Sequence, residues 1–240
     1  MKKLLAITAL SAALFFGQTA AAEEKAAEEV KPSHVEMVLV LDESGSMSNL
    51  TNDTIGGFNS MIEKEKKLDV DAHVTTVLFN DQYKMLYNRR ELKDVSKMTD
   101  KDYTPGGMTA LLDAVGRTIH KMDMVAGIHR KDKGNKVLFV IITDGEENDS
   151  KEYTYADVKK LIKDRQENAG WEFIFLGANI DAAAAAENLG IDRDRAVKYK
   201  NTGSGVRANF KAVAELSDSL AKSGRVSDEW KETVEKDEDD

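Results

Sequence analysis

Residues 35–46 read VEMVLVLDESGS, an apolar run followed at once by oxygen-bearing side chains. The run 35–41 predicts a buried strand. Asp42, Ser44 and Ser46 come next, each two residues from its neighbour, and Gly45 lets the chain turn tightly between them. One carboxylate and two hydroxyls directed into a small space suit a hard divalent cation such as Mg²⁺, which prefers six oxygen ligands. This stretch therefore predicts a strand that ends in a cation site.

Two other stretches offer oxygen ligands in a similar setting. Thr109 ends the segment GGMT, just before a helix predicted to begin near Ala110, and Asp144 follows the apolar strand predicted at 136–142. Each stretch has a simpler interpretation when considered alone. Asp42 with its serines could form a turn or a helix N-cap, Thr109 could be an N-cap, and Asp144 with Gly145 could be an ordinary turn. All three together favour a shared site.

The rest of the pattern alternates strands with helices. We predict strands at 35–41, 72–79, 83–87, 136–142, 171–176 and 196–200, and helices at 54–67, 110–125, 155–162, 181–188 and 210–220. This order predicts an α/β fold with a doubly wound, mostly parallel sheet, one antiparallel edge strand and helices on both faces. Right-handed crossovers would place the carboxyl ends of the parallel strands, and so Asp42 and Asp144, on one edge.

The segment 35–222 resembles the von Willebrand factor A (vWA) domain family, and in particular its small bacterial secreted members with an intact metal-ion-dependent adhesion site. The resemblance implies a vWA fold, similar to the Rossmann fold, and a metal site that holds Mg²⁺, with Mn²⁺ or Ca²⁺ as alternatives. It further implies direct ligation by Ser44 and Ser46, contact mostly through water for Asp42, direct or water-mediated contact for Thr109, and a second carboxylate from Asp144.

A site of this kind explains binding better than catalysis. Neutral hydroxyls leave the cation with positive charge, which would attract an Asp or Glu carboxylate of a partner protein. The alternatives are a Mg²⁺-dependent hydrolase or phosphoryl-transfer enzyme, and a structural envelope protein with a purely stabilising metal. Because nucleophile-elbow and Walker-type motifs are missing, we do not expect an enzyme. The four histidines show no metal-binding spacing and are expected at the surface or in packing.

Composition and the ends of the chain limit the setting. The formal net charge of −9 argues against nucleic acid as a partner, and the absence of cysteine excludes disulfides and thiolate metal sites. Residues 1–22 have the layout of a signal peptide, so we expect a secreted or periplasmic protein with no membrane span after cleavage. We expect a charged linker at 23–34 and an acidic, disordered tail at 223–240.

Overall fold

The computed structural model describes residues 34–68, 70–125 and 135–239, and the side chains as far as residue 236. The predicted signal peptide and all of the predicted linker except His34 lie outside the described residues. None of the described helices is long and apolar enough to cross a membrane.

The described chain contains a six-stranded sheet. Its strands are β1 (His34–Asp42), β2 (Ala72–Phe79), β3 (Tyr83–Glu91), β4 (Asn135–Thr143), β5 (Glu172–Gly177) and β6 (Ala196–Lys198). Their spatial order is β3-β2-β1-β4-β5-β6, with β3 antiparallel to β2 and all other pairs parallel. The predicted α/β fold class, including its single antiparallel edge strand, is confirmed.

Helices cover both faces of the sheet. They are α1 (Thr51–Lys67), α2 (Leu111–Asp123), α3 (Tyr155–Asp164), α4 (Ala182–Leu189), α5 (Gly203–Ser223) and α6 (Trp230–Asp239). Alternate residues of β1 point to opposite faces. Met37 and Leu39 enter the core shared with α1, α5 and α6, whereas Val38 and Val40 enter the core shared with α2, α3 and α4. Strand β1 is therefore buried on both sides, which explains its nearly continuous apolar sequence.

The prediction of a disordered tail at 223–240 is wrong over most of its length, because Ser223 ends α5 and α6 packs against α5. Trp230 and Val234 are each 1% exposed, and the Thr233 hydroxyl donates to Glu215 Oε2 of α5 at 2.7 Å. The two buried residues are four positions apart and so share one helix face. The acidic composition led to the prediction of disorder, but this apolar pair provides enough buried surface to dock the helix.

Candidate metal centre

The carboxyl ends of β1 and β4 bring Asp42 and Asp144 to the same edge of the sheet. Asp42 is the last residue of β1, and Asp144 directly follows β4. These strands are hydrogen-bonded neighbours, and the Thr143 hydroxyl at the end of β4 donates to Asp42 Oδ2 at 2.6 Å. Asp42 is 0% exposed and Asp144 is 2% exposed. Two nearly buried carboxylates are thus held in the crevice beyond neighbouring strands, where ligands bind in open α/β sheets.

The loop after β1 adds the two serine hydroxyls. The Ser44 amide donates to Asp42 Oδ1 at 2.7 Å, which folds the loop back over the strand end. Ser44 Oγ lies 3.0 Å from Ser46 Oγ, and the Ser46 hydroxyl donates to Asp144 Oδ1 at 2.5 Å. Ser44 is buried, whereas Ser46 is exposed. Ser46 therefore stands at the mouth of the cluster, on a short 3₁₀ helix (Gly45–Leu50) that leads into α1.

Thr109 faces the same space. Helix α2 begins at Leu111 with Ala110 as its N-cap residue, so Thr109 is not the helix cap. Its amide donates to Asn148 Oδ1 at 2.9 Å, and its carbonyl accepts the Asn148 amide at 3.0 Å. A Cβ built on Gly145 would lie 3.7 Å from Thr109 Oγ1 and 4.0 Å from Ser46 Oγ. The hydroxyls of Thr109 and Ser46 thus both lie close to Gly145, the residue that follows Asp144.

Glycine is required in the loop that carries Thr109. Gly107 has a φ of 77°, in the left-handed region, and a Cβ there would lie 2.0 Å from Asp81 Oδ1. The Gly107 carbonyl accepts the Gly45 amide at 3.2 Å, and the Gly106 amide donates to the Glu43 carbonyl at 2.9 Å. The two loops of the cluster are therefore joined through their backbones.

The structure brings all five predicted site residues to one edge of the sheet. Metal–oxygen distances of about 2.0–2.1 Å give an octahedral shell with oxygen–oxygen edges of about 2.9 Å. The separations of 3.0 Å and 2.5 Å along Ser44, Ser46 and Asp144 are close to that spacing. Both Asp42 oxygens already accept hydrogen bonds, which is compatible with contact through water. The donor set therefore has the chemistry and spacing that a small hard cation needs.

Burial raises the pKa of Asp42 above its ordinary value. The nearby Asp144 carboxylate adds to this, and hydrogen bonds from Thr143 and Ser44 oppose it. Two like charges in a poorly solvated pocket repel each other, and a cation between them would relieve that repulsion.

Several supporting residues escaped the sequence analysis. Besides Thr143, the Tyr103 hydroxyl donates to the Asp42 carbonyl at 2.6 Å, and Asn201 Nδ2 donates to Asp144 Oδ2 at 3.3 Å. Thr143 could have been found as the residue between the apolar strand and Asp144. Tyr103 and Asn201 carry no local signal, because each lies in a loop far along the chain from its partner.

Two acidic residues near the cluster have structural roles. The Glu147 carboxylate accepts the amides of Leu112, Asp149 and Ser150 at 2.7–3.0 Å, which caps the start of α2. Glu43 is 4% exposed and accepts the Thr104 amide. Backbone amides satisfy both carboxylates, so Glu147 and Glu43 are not counted among the five candidate metal ligands.

Comparison with known proteins agrees with this architecture. The family model vWA-TerF-like, described as the vWA found in TerF C terminus, matches residues 34–191. Comparison with curated proteins finds no match.

Solved structures share the fold at low sequence identity. The pilus adhesin SpaC from Lactobacillus rhamnosus GG, in its open conformation, is 14% identical with a TM-score of 0.62, over 81% of this chain and 31% of that chain. The vWF domain of the type V pili tip protein Mfa5 from Porphyromonas gingivalis is 12% identical with a TM-score of 0.55, over 82% of this chain and 99% of that chain. A von Willebrand factor type A protein from Catenulispora acidiphila is 15% identical with a TM-score of 0.52, over 77% of this chain and 43% of that chain. The chain spans less than half of the SpaC and Catenulispora chains, and these likenesses concern the fold alone.

Proposed function

Because the chain belongs to the vWA-TerF-like family, we propose that it is a protein-interaction module that presents a divalent cation to an Asp or Glu of a partner protein. Mg²⁺ is the cation expected first, with Mn²⁺ or Ca²⁺ as alternatives. In this proposal Ser44 and Ser46 contact the cation through their hydroxyls. Asp42, Thr109 and Asp144 complete the site directly or through water. The observation that supports it most is the continuous set of oxygens from Ser44 through Ser46 to Asp144.

The residues of the cluster favour binding over chemistry. When bound, the cation would offer an open coordination position and a net positive charge to an incoming carboxylate. Ser44 and Ser46 contribute no negative charge, so they leave that attraction intact. Among the described residues, the hydroxyls of both serines contact oxygens of this cluster and no histidine, so neither has the basic neighbour that activates a serine nucleophile.

The mouth of the site is open to a partner. Ser46 and Gly107 are exposed, and the Met108 side chain beside Thr109 is 51% exposed. An apolar group next to a charged centre is a combination common in protein interfaces, where methionine is enriched. We therefore place the partner over Ser46 and Met108.

Thermal unfolding tests the metal centre. The full chain would be measured with chelator and then with Mg²⁺, Mn²⁺ or Ca²⁺, beside Ser46→Ala and the matched control Ser60→Ala on the exposed face of α1. A cation at a hundredfold excess over its Kd should add about 2.7 kcal/mol of stability. The wild type and Ser60→Ala should gain this stability, and Ser46→Ala should gain much less. Equal gains in all three proteins would contradict the proposed site.

Metal-dependent recovery of a partner separates presentation from simple stabilisation. Proteins retained by the wild type in Mg²⁺, but lost with chelator and with Ser46→Ala, would support the proposal. A metal that stabilises the wild type while the retained proteins stay the same with chelator would favour a purely structural metal instead.

Export remains part of the proposal. It is supported by the basic residues Lys2 and Lys3, the apolar segment 4–16 and the small residues Ala20 to Ala22. Mass spectrometry of the protein recovered outside the cytoplasm should give a chain that begins at Glu23. Recovery of the intact chain from the cytoplasm would contradict export.

A further inference from the structure

Three potential metal ligands lie together at the amino end of β1, at the sheet edge opposite the serine and aspartate cluster. Glu36 of β1 pairs in register with His73 of β2, and His34 precedes Glu36 by two residues on the same face. Strand β1 rises by about 3.3 Å per residue, so His34 and Asp42 are roughly 26 Å apart. This second cluster is therefore independent of the proposed cation site.

The ligand atoms of the second cluster have the spacing of a tetrahedral metal shell. His34 Nε2 lies 2.9 Å from His73 Nδ1, His73 Nδ1 lies 3.2 Å from Glu36 Oε1, and His34 Nε2 lies 3.3 Å from Glu36 Oε1. Zinc bonds to nitrogen or oxygen of about 2.0–2.1 Å give ligand–ligand edges of about 3.3 Å in a tetrahedron. Three such atoms within 4.8 Å of one another form one triangular face of that shell.

The surroundings of the three residues orient them for ligation. His34 Nδ1 lies 3.0 Å from Asp71 Oδ1, so the ring can donate Nδ1–H to that carboxylate and direct the Nε2 lone pair toward His73 and Glu36. A carboxylate that accepts the other ring N–H of a ligating histidine is a common arrangement at metal sites. Glu36 is 1% exposed, and this burial fixes its position. The histidine side chains are 19% and 26% exposed, which gives an ion access from solvent.

Arg89 is the competitor for this position. A bulge in β3 gives Arg89 a φ of 46° and directs its side chain across β2. Its Nη2 donates to Glu36 Oε1 at 2.5 Å and its Nε donates to Glu36 Oε2 at 3.0 Å. Arg89 Nη2 also lies 3.3 Å from His73 Nδ1, so an ion bound to Glu36 Oε1 and His73 Nδ1 would displace both contacts of Nη2 and leave the contact of Nε with Oε2. The Arg89 side chain is 32% exposed, so its head group can move into water.

We propose that His34, Glu36 and His73 form a zinc site with a fourth position open to water. Two imidazoles and one carboxylate suit Zn²⁺ better than Mg²⁺ or Ca²⁺, which prefer oxygen ligands. Arg89 forms an ion pair with Glu36 when zinc is absent, and zinc binding displaces the Arg89 head group from Glu36 Oε1. Asp71 acts as a positioning residue for the His34 ring.

Calorimetric titration of the full chain with Zn²⁺ tests this site, in an Asp42→Ala/Ser46→Ala background that disables the other cluster. The background protein should bind one Zn²⁺ through this site. His34→Gln and His73→Gln should each weaken binding at least tenfold, and Asp71→Asn should weaken it about tenfold. The matched control His120→Gln, an exposed histidine of α2, should bind as the background does. Arg89→Gln should bind more tightly, because the competing guanidinium is gone.

Co²⁺ provides a second measurement that depends on ligand geometry. Its visible absorption in the background protein should show tetrahedral coordination, and His34→Gln should lose that signal. If His73→Gln does not fold, the zinc affinities of Asp71→Asn and His34→Gln decide the question. Asp71 is exposed and His34 lies at the end of a strand, so these two variants should fold. Zinc affinity unchanged by His34→Gln and Asp71→Asn, or no zinc binding by the background, would overturn the proposal. The cluster would then serve only as an ion-pair network with Arg89.

Discussion

Ser46 Oγ lies 2.5 Å from Asp144 Oδ1, although the two residues are 98 positions apart in the chain. This contact joins the loop after β1 to the end of β4. It exists because these strands, which are distant in sequence, are neighbours at the centre of the sheet. The contact links the first and last of the three stretches that predicted a cation site, so it is the natural place to test that site.

Replacing Asp144 by Asn should separate metal binding from folding. Asparagine keeps a side-chain oxygen for the Ser46 hydroxyl but removes one of two nearly buried charges. We expect Asp144→Asn in chelator to be as stable as the wild type or up to ~1 kcal/mol more stable, from reduced repulsion of Asp42. The rise in Tm with Mg²⁺ should be lost. Calorimetry with and without metal checks both effects, and Asp192→Asn at an exposed position is the control. A wild-type response to Mg²⁺ would contradict the assignment of Asp144.

Gly107→Ala should destabilise the protein and disturb Thr109. The new Cβ would clash with Asp81 Oδ1, and the alanine would have to adopt a φ of 77°. We expect a loss of about 1–3 kcal/mol, typical of strained backbone positions. Gly56→Ala is the matched control, since a Cβ on Gly56 within α1 meets nothing within 4 Å. That change should stabilise the protein by about 0.5–1 kcal/mol. Urea unfolding measures both, and equal effects of the two changes would refute the strain argument.

The stability of the protein should fall between about pH 4.5 and pH 7 because of Glu65. This residue of α1 is 0% exposed, and burial raises its pKa to about 7, with repulsion from Asp218 adding to the effect and the 2.7 Å hydrogen bond from Ser217 opposing it. The pKa in the folded state is above the unfolded value of 4.5. The unfolded chain therefore loses its proton first as pH rises, and the folded state becomes less favoured until pH passes 7.

Glu65→Gln should remove this part of the pH dependence. The variant should be more stable than the wild type above pH 7, by up to ~3 kcal/mol, and similar to it near pH 4. Denaturant titrations at pH 4, 6 and 8 measure the difference. Glu63→Gln, at an exposed position of the same helix, is the control and should follow the wild type. Parallel curves for Glu65→Gln and the wild type would show that Glu65 does not titrate in this range.

Trp230→Ala should test whether α6 belongs to the folded unit. The Trp230 side chain is 1% exposed in the core between α5 and the sheet, so its removal should cost about 3–5 kcal/mol. Glu229→Ala, at the exposed residue next to Trp230, is the control and should change stability by less than about 0.5 kcal/mol. Chemical unfolding followed by circular dichroism measures both. A loss below about 1 kcal/mol for Trp230→Ala would mean that α6 is not firmly docked.

The sequence alone determined the fold class and indicated the five oxygen-bearing residues of the candidate site. Strand and helix periodicity is local, because the side chains that must be buried recur every two residues in a strand and every three to four in a helix. The alternation of these patterns was enough to predict the doubly wound sheet. Asp42 and Asp144 stood out because each directly follows an apolar strand. The pair Trp230 and Val234 was too short a pattern to outweigh the acidic composition around it.

The tertiary structure decided which distant groups meet. The order of strands in the sheet set the neighbours of Asp42, including Thr143 on β4 and Tyr103 in a loop. The same order joined His34 and His73, which are 39 positions apart and showed no motif. Contacts of this kind depend on which strand ends are adjacent and on the face that each side chain takes. That information lies in the packing of the whole sheet, and no single stretch of sequence contains it.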